Sequence, residues 1–197
     1  MSAKTDRNEA AKARARELGA KLFAEKGYAE TTTRELAAAM EVTNGTFYYY
    51  FSSKEDLLYE ISQIALAEIS TAIKDALAGV EGVEDRIHAM IAAHMGTILD
   101  SHSHASVLTE LQWRALSPER RQEVIGARAA YEAMLRREIA AGQQAGFLRT
   151  DSEAGMLTLL LLNLMNWTIF WYRPEHGVSP EGLVAEIEKQ FLQGASS

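Results

Sequence analysis

The sequence contains no cysteine, which excludes disulfides, thiol nucleophiles and zinc sites with cysteine ligands. Only three prolines occur, and none of them lies inside a stretch with helical spacing of apolar residues. The N-terminus has no apolar segment of the kind found in secretory signal peptides, so we expect a cytoplasmic protein. Sustained alternation of apolar and polar residues is also missing, so no strands are predicted and the chain is expected to be all-α.

Sequence signatures of catalysis are missing as well. The chain has no P-loop, no G-x-G-x-x-G and no G-x-S-x-G motif, so we predict neither an enzyme nor a bound cofactor. The net charge of −7 argues mildly against a nucleic-acid partner. Residues 1–34 nevertheless carry eight Lys or Arg against five Asp or Glu, so the N-terminal segment has a local positive excess.

Residues 31–58 predict two short helices and the start of a third. Thr32 and Glu35 have the spacing of a capping box, in which each side chain bonds to the other's backbone N–H. Ser52 and Glu55 form a second capping box ahead of a long apolar face. Two short helices joined by a tight turn make a helix-turn-helix, whose second helix enters the major groove of DNA.

Five aromatic residues follow one another in the second short helix. Phe47 and Phe51, four residues apart, are predicted to share a buried face. Tyr48, Tyr49 and Tyr50 are then expected to project outward, where their hydroxyls can meet phosphates or base edges. The alternative is an aromatic-rich turn of a core helix.

The same stretch resembles the DNA-binding signature of the TetR family of bacterial one-component repressors, T-T-x-R-x-I-A, a turn, then S-x-G-x-L-Y-x-H-F-x-S-K-x-x-L. Glu41 stands where a turn glycine is usual, and Tyr50 where histidine is common. The resemblance implies a three-helix helix-turn-helix domain in residues 1–52 and a helical ligand-binding and dimerisation domain in residues 53–197. The matching residues are Thr31, Thr32, Arg34, Leu36, Ala37, Gly45, Tyr48, Phe51, Ser53, Lys54 and Leu57.

The resemblance also implies a homodimer that represses transcription from a palindromic double-stranded DNA operator until a small hydrophobic effector releases it. The residues expected at phosphates are Thr32, Thr33, Arg34, Tyr48 and Lys54. Those expected nearest base edges are Asn44, Gly45, Thr46, Tyr49 and Tyr50, and Thr43 completes the DNA-binding set. The alternative from another class is a dimeric α-helical enzyme or ligand carrier whose helix-turn-helix is inactive.

A long helix is predicted over residues 152–172, capped by Asp151 and without charge after its first two residues. A membrane span needs this length, but Asn163 and Asn166 near the middle would be costly in lipid. We therefore expect no membrane contact, and a helix that faces its own core on one side and a second subunit on the other. The predicted dimer interface consists of Leu160, Leu164 and, on a last amphipathic helix, Leu183, Ile187 and Phe191.

Large aromatic residues and methionines after residue 80 suit an adaptable apolar pocket, although each of them also suits a core. The segment from Asn166 to Pro174 resembles a subgroup of TetR-like repressors that sense acyl-CoA thioesters, including those governing fatty-acid and steroid-ring catabolism. Arg173 is placed to meet an anionic group of such an effector. The predicted ligand-binding residues are Met90, His94, Trp113, Tyr131, Met134, Asn163, Trp167, Trp171 and Arg173.

A metal site is the remaining alternative. His102 and His104 lie close to Asp100, with His88 and His94 upstream, and these residue types ligate zinc. A hydrated loop with titratable side chains explains the same residues without a defined ligand geometry. No metal site is predicted.

Overall fold

The computed structural model describes residues 3–100 and 113–195. Every regular element in these two ranges is helical, which confirms the prediction of an all-α chain. The helices are α1 (Ala3–Lys26), α2 (Thr33–Ala39), α3 (Asn44–Tyr50), α4 (Lys54–Leu77), α5 (Val83–Asp100), α6 (Pro118–Gln144), α7 (Ala154–Asn166), α8 (Thr168–Trp171) and α9 (Pro180–Ala195), with a 3₁₀ turn at Pro174–His176.

The described residues form two compact units. Residues 3–66 and 113–126 make up the first, and residues 67–100 and 127–195 make up the second. The division falls inside two continuous helices, α4 and α6.

In the first unit, α2 begins and ends with well-formed caps. The predicted capping box is confirmed: the Glu35 amide donates to the Thr32 hydroxyl over 3.2 Å, and the Thr32 amide donates to the Glu35 carboxylate over 2.8 Å. At the other end, Val42 N–H donates to the Ala37 carbonyl over 2.9 Å, which is a Schellman closure. Glu41 occupies the left-handed position of this closure with φ of 56°, which is the position where a glycine is usual.

The cap of α4 differs from the prediction by one residue. The helix begins at Lys54, so Ser53 is its N-cap and accepts the Asp56 amide over 3.0 Å. The Asp56 carboxylate accepts the Ser52 amide over 3.0 Å. Glu55 accepts the Ser117 amide instead, over 2.9 Å, at the start of α6. The predicted pair of Ser52 and Glu55 is therefore wrong.

The core of the first unit contains Phe47 of α3 and Phe51, the C-cap residue of this helix. Phe47 and Phe51 are fully buried with ring centroids 5.8 Å apart, which confirms that they share a buried face. Helix α1 packs so closely on α4 that a Cβ on Gly19 would lie 2.7 Å from a methyl carbon of Leu57. The close packing of α1 on α4 is thus one reason for a glycine at position 19.

The second unit buries α5 against α7 and α9. An ion pair ties α5 to α6, since the Arg86 guanidinium donates to both oxygens of Glu138 over 2.8 and 2.9 Å. The same guanidinium donates to the Val80 carbonyl over 2.8 Å, just after the end of α4.

The predicted helix over residues 152–172 is wrong at both its start and its middle. Asp151 pairs with Arg149 instead of capping a helix, and α7 begins at Ala154. The helix is then interrupted at Trp167, so α7 has only 13 residues. Residues 154–171 are apolar enough for a membrane span by length and composition, and 39% of them are buried. At about 1.5 Å per residue, α7 covers only about 20 Å of the roughly 30 Å that a bilayer core requires.

Candidate DNA-binding surface and ligand-binding core

Helix α3 leaves most of its polar and aromatic side chains in solvent. Thr43 caps the helix by accepting the Thr46 amide over 3.1 Å, and the two hydroxyls lie 3.0 Å apart. Asn44 and Gly45, which follow the cap, are exposed. The helix therefore begins on a surface that is open to a partner.

The tyrosines of α3 are braced by neighbouring rings. Tyr48 is 53% exposed and meets the buried Phe47 edge-on, with centroids 5.4 Å apart. Tyr49 is 71% exposed and meets the half-buried Tyr50 in the same way, also at 5.4 Å. Edge-to-face contacts of this kind restrict ring motion. The two exposed rings therefore project from α3 in a defined arrangement.

The start of α2 offers a second group of exposed residues. Thr32 and Arg34 are exposed and Thr33 is half-buried. Lys26 pairs with Glu35, and this hydrogen bond, followed by those from Thr32, lowers the pKa of Glu35 to about 2. The carboxylate is thus already committed to protein partners, and Arg34 is the cation of α2.

The structure corrects the assignment of Lys54. Its ammonium donates to the carbonyls of Tyr28 and Thr31, each over 2.7 Å, and lies 4.1 Å from the centre of the Tyr28 ring. Burial lowers the pKa of Lys54. Because an ammonium has three donors and these are directed at the loop between α1 and α2, Lys54 anchors that loop and does not project toward a phosphate.

A polar cluster lies inside the second unit. The His94 ring, which is fully buried, is 2.5 Å from the Tyr131 hydroxyl through Nδ1 and 3.0 Å from the Asn166 Oδ1 through Nε2. Burial lowers the pKa of His94 to about 4 and raises that of Tyr131. The neutral imidazole therefore accepts from Tyr131 and donates to Asn166, because an amide oxygen can only accept.

This cluster gathers part of the predicted ligand-binding set. Met90 and Met134 are buried in the same unit as His94 and Tyr131. Trp113 is buried too, but it belongs to the first unit. Asn166 completes the cluster through its amide, which lies on an otherwise apolar helix, and it is not part of the predicted ligand-binding set.

The other predicted ligand-binding residues lie on the surface. Asn163, Trp167 and Trp171 line an open apolar groove of about 510 Å³ together with Leu160 and Leu164. Trp167 is 63% exposed and Trp171 is 53% exposed. Arg173 is exposed and donates to the carbonyl of its neighbour Tyr172 over 2.7 Å. Exposed apolar residues on α7 and α8 that the sequence reading did not name are Met156, Leu159 and Phe170.

The predicted dimer interface is only half exposed. Leu160 and Leu164 are 51% and 44% exposed in the single chain, as residues of a dimer interface must be when no second subunit covers them. Leu183, Ile187 and Phe191 are at most 7% exposed, because α9 turns them toward α5 and α7 in its own unit. Within the single chain they therefore belong to the core. Phe191 also lines the apolar groove that Leu160 and Leu164 line, so the place of these three residues in a dimer interface stays a prediction.

The histidines of the metal alternative have other partners where they are described. His88 lies 3.2 Å from the Glu188 carboxylate, and His94 belongs to the buried cluster. His102 and His104 lie outside the described residues.

A capped short helix, a tight turn and a second short helix with exposed side chains define a helix-turn-helix, the class of DNA-binding transcriptional regulators. Residues 16–61 match the family described as bacterial regulatory proteins, tetR family, and residues 81–195 match the tetracyclin repressor-like C-terminal domain. The chain belongs to the TetR family. Its members are transcriptional regulators and not enzymes.

Similar proteins cover nearly the whole chain. The HTH-type transcriptional repressor KstR2 of Rhodococcus jostii (strain RHA1) is 24% identical over 92% of this chain and 89% of its own length. The regulator PfmR of Thermus thermophilus is 31% identical with a TM-score of 0.82, covering 91% of this chain and 97% of PfmR. AibR, solved with isovaleryl coenzyme A and operator DNA, shares the fold at 20% identity and a TM-score of 0.81, covering 92% of this chain and 98% of AibR.

Proposed function

We propose that this regulator is a cytoplasmic repressor that binds a palindromic operator as a homodimer and releases it when a small hydrophobic effector binds. Residues 1–52 serve DNA binding, and residues 53–197 serve effector binding and dimerisation. The observation that carries the proposal is the surface of α3, where two phenylalanines are buried while Tyr48 and Tyr49 project from the same short helix.

The DNA-binding assignment comprises Thr32, Thr33 and Arg34 on α2 with Thr43, Asn44, Gly45, Thr46, Tyr48, Tyr49 and Tyr50 around α3. Operator DNA selected from a random duplex library should bind at nanomolar concentration, with an affinity that falls as salt rises. Replacing Tyr49 by Ala should weaken operator binding at least tenfold and leave the unfolding midpoint unchanged, because its ring is the most exposed of the aromatic residues on α3. Binding that is independent of sequence and salt would favour a carrier or enzyme with an inactive helix-turn-helix.

The proposed homodimer is supported by the apolar groove that α7, α8 and α9 line. Leu160, Leu164, Trp167 and Trp171 expose large apolar side chains on one surface, and patches of this size on soluble proteins mark interaction sites. An isologous pairing of this surface with its copy would cover all four side chains.

The homodimer is tested by a substitution that introduces one carboxylate into this surface. Leu160→Asp should raise the dimer dissociation constant more than a hundredfold, since an unpaired buried charge costs about 3–5 kcal/mol. Ile125→Asp is the matched control, because Ile125 is 43% exposed on α6 and lies outside the groove. Sedimentation at micromolar concentration should give monomer for the first variant and dimer for the second. Dimers from both variants would place the interface elsewhere.

The effector site is assigned to the interior of the second unit. Met90 and Met134 provide adaptable apolar walls, and the His94–Tyr131–Asn166 cluster provides polar groups to orient a carbonyl. An acyl-CoA thioester fits this combination, and AibR, which has the same fold, is solved with isovaleryl coenzyme A. Trp167, Trp171 and Asn163 are reassigned from this site to the dimer surface.

The effector assignment is tested by whether a thioester releases operator DNA from the protein. Isovaleryl-CoA and longer acyl-CoA thioesters are titrated into the complex, with free coenzyme A as the control. A matching thioester should weaken operator binding at least tenfold, and Tyr131→Phe should shift the half-release concentration tenfold while operator affinity stays within threefold. If no thioester releases DNA, the acyl-CoA assignment is wrong, and the DNA-binding assignment stands on its own measurement.

A further inference from the structure

No steric feature among the described residues requires a glycine at position 45. It is the second residue of α3, its backbone is helical, and it is exposed. A Cβ placed on it would meet, within the described part of the chain, nothing closer than the Thr43 hydroxyl at 3.7 Å, an ordinary van der Waals distance. Alanine would therefore fit in the free protein without strain.

Some glycines of this protein have reasons that the fold supplies, whereas Gly96 and Gly126 resemble Gly45 in that a Cβ would fit among the described residues. A Cβ on Gly19 would lie 2.7 Å from Leu57, and a Cβ on Gly142 would lie 2.9 Å from Ile87. Gly27 and Gly146 end helices with positive φ. A helical glycine shifts the folding equilibrium about twofold to fivefold toward the unfolded state relative to alanine. Gly45 therefore lowers the stability of the folded protein without relieving a steric clash among the described residues.

The neighbours of Gly45 indicate where the reason lies. Tyr48 and Tyr49 follow it by three and four residues, so all three share one side of α3. Both tyrosines are more than half exposed. The missing side chain therefore leaves a gap on the surface between projecting rings, where another molecule can approach the helix backbone.

We propose that Gly45 is the point where the backbone of α3 comes closest to DNA, and that its missing side chain sets how deeply Tyr48 and Tyr49 enter the major groove. The inference rests on the proposed DNA-binding surface and gives one of its residues, Gly45, a positioning role. A methyl group at this point would hold the helix away from the groove by more than the length that polar contacts tolerate.

Alanine at this position should have effects of opposite sign on folding and on binding. Gly45→Ala should raise the urea midpoint of unfolding and weaken operator binding tenfold or more. Gly126→Ala is the matched control, because Gly126 is also helical and exposed and a Cβ there meets none of the described residues within 4 Å. The control should raise the midpoint and leave operator affinity unchanged.

Each outcome of this experiment decides something. If Gly45→Ala binds operator as well as the unmodified protein, the close approach does not occur. If Gly45→Ala lowers the urea midpoint, the fold itself requires glycine at this position, and the inference that alanine fits without strain is wrong. Failure of the unmodified protein to bind selected DNA would remove the proposed function together with this inference, and is recognised before any variant is made.

A separate observation concerns which bases α3 meets. Residues 42–53 contain no charged side chain, so this helix has no arginine or lysine to read guanine and no carboxylate to read cytosine. Asn44 offers an amide, which pairs with two groups on adenine. Thr46 has its hydroxyl beside the Thr43 cap at 3.0 Å, which leaves its methyl group to offer.

We infer that the base pairs beneath α3 are mainly A·T, recognised through adenine edges and thymine methyl groups, an inference that rests on the proposed DNA-binding surface. Replacing thymine by deoxyuridine in the selected half-site removes only the methyl groups. Affinity should fall about fourfold per contacted methyl. The same replacement in the spacer is the control. Unchanged affinity, or selected half-sites without A·T pairs, would overturn the inference.

Discussion

Acid should destabilise the fold through one buried histidine. His94 is fully buried and neutral, and both of its ring nitrogens are hydrogen-bonded, to Tyr131 and to Asn166. Protonation would turn Nδ1 from an acceptor into a second donor that faces the Tyr131 hydroxyl, and would place a charge in an apolar interior. The folded state therefore resists binding this proton.

The sign and the size follow from the pKa of this one group. Burial lowers the pKa of His94 to about 4 in the folded protein, whereas a free histidine has a pKa of about 6.5. Between these values the unfolded chain binds more protons, so stability falls as the pH falls. The contribution is complete above about pH 6.5 and is lost on the way down to about pH 4. The loss approaches about 3 kcal/mol, since each pKa unit corresponds to about 1.4 kcal/mol.

Urea unfolding at fixed protein concentration between pH 7 and pH 4 measures this loss. Other groups titrate in the same range, so the comparison is with His94→Gln, which keeps a polar side chain and removes the titration. The difference between the two proteins should show the unmodified protein losing about 3 kcal/mol more across the range. Parallel pH profiles would refute the reasoning, because they would mean that His94 binds its proton equally well in both states.

Two further predictions concern the first unit. Lys54→Met should lower stability by about 2 kcal/mol in urea unfolding, because the carbonyls of Tyr28 and Thr31 lose a charged donor. The salt dependence of operator binding should stay the same for Lys54→Met, and a slope reduced by about one would instead return Lys54 to a phosphate contact. Glu41→Gly should raise the unfolding free energy by about 1 kcal/mol, because φ of 56° strains a residue with a Cβ. A lower stability in that variant would show that the Glu41 side chain has a stabilising contact.

Helix boundaries were predictable where the sequence offered only one capping box. Thr32 with Glu35 offered a single capping box, and that box is present. At the start of α4, two consecutive serines precede two consecutive acids, so two boxes with the same spacing compete. The structure uses Ser53 and Asp56, and contacts distant in sequence accompany the choice: Glu55 accepts the Ser117 amide, and Asp56 accepts from the Arg120 guanidinium over 2.6 Å.

The role of Lys54 was out of reach for a different reason. Its place in the family pattern suggests a phosphate contact, and its position at the start of α4 suits an exposed cation. The three carbonyls it faces belong to the loop before α2, more than twenty residues earlier. A convergence of backbone carbonyls leaves no trace in side-chain identity, so no reading of residue types finds it.

Helix α7 shows where hydrophobic periodicity stops being informative. Leu157, Leu161 and Met165 form one apolar stripe, and Leu160, Leu164 and Trp167 form another. Both stripes have helical spacing, so the pattern says that the helix is apolar on two sides and does not say which side faces the core. The structure buries the first stripe and exposes the second.

The exposed stripe changes what Trp167 is expected to do. Its ring is 63% exposed beside Leu160 and Leu164, whereas the buried polar cluster that suits an effector lies among α5, α6 and Asn166. An indole ring contributes to effector affinity only in a pocket from which water is excluded. The open groove beside Trp167 excludes water only when a second molecule covers it. We therefore expect Trp167 to act first on the proposed dimerisation, and the loss of effector response in a Trp167→Ala variant should follow from a weaker dimer. Raising the protein concentration should then restore operator binding and effector response together, and a response that stays lost in the restored dimer would return Trp167 to the effector site.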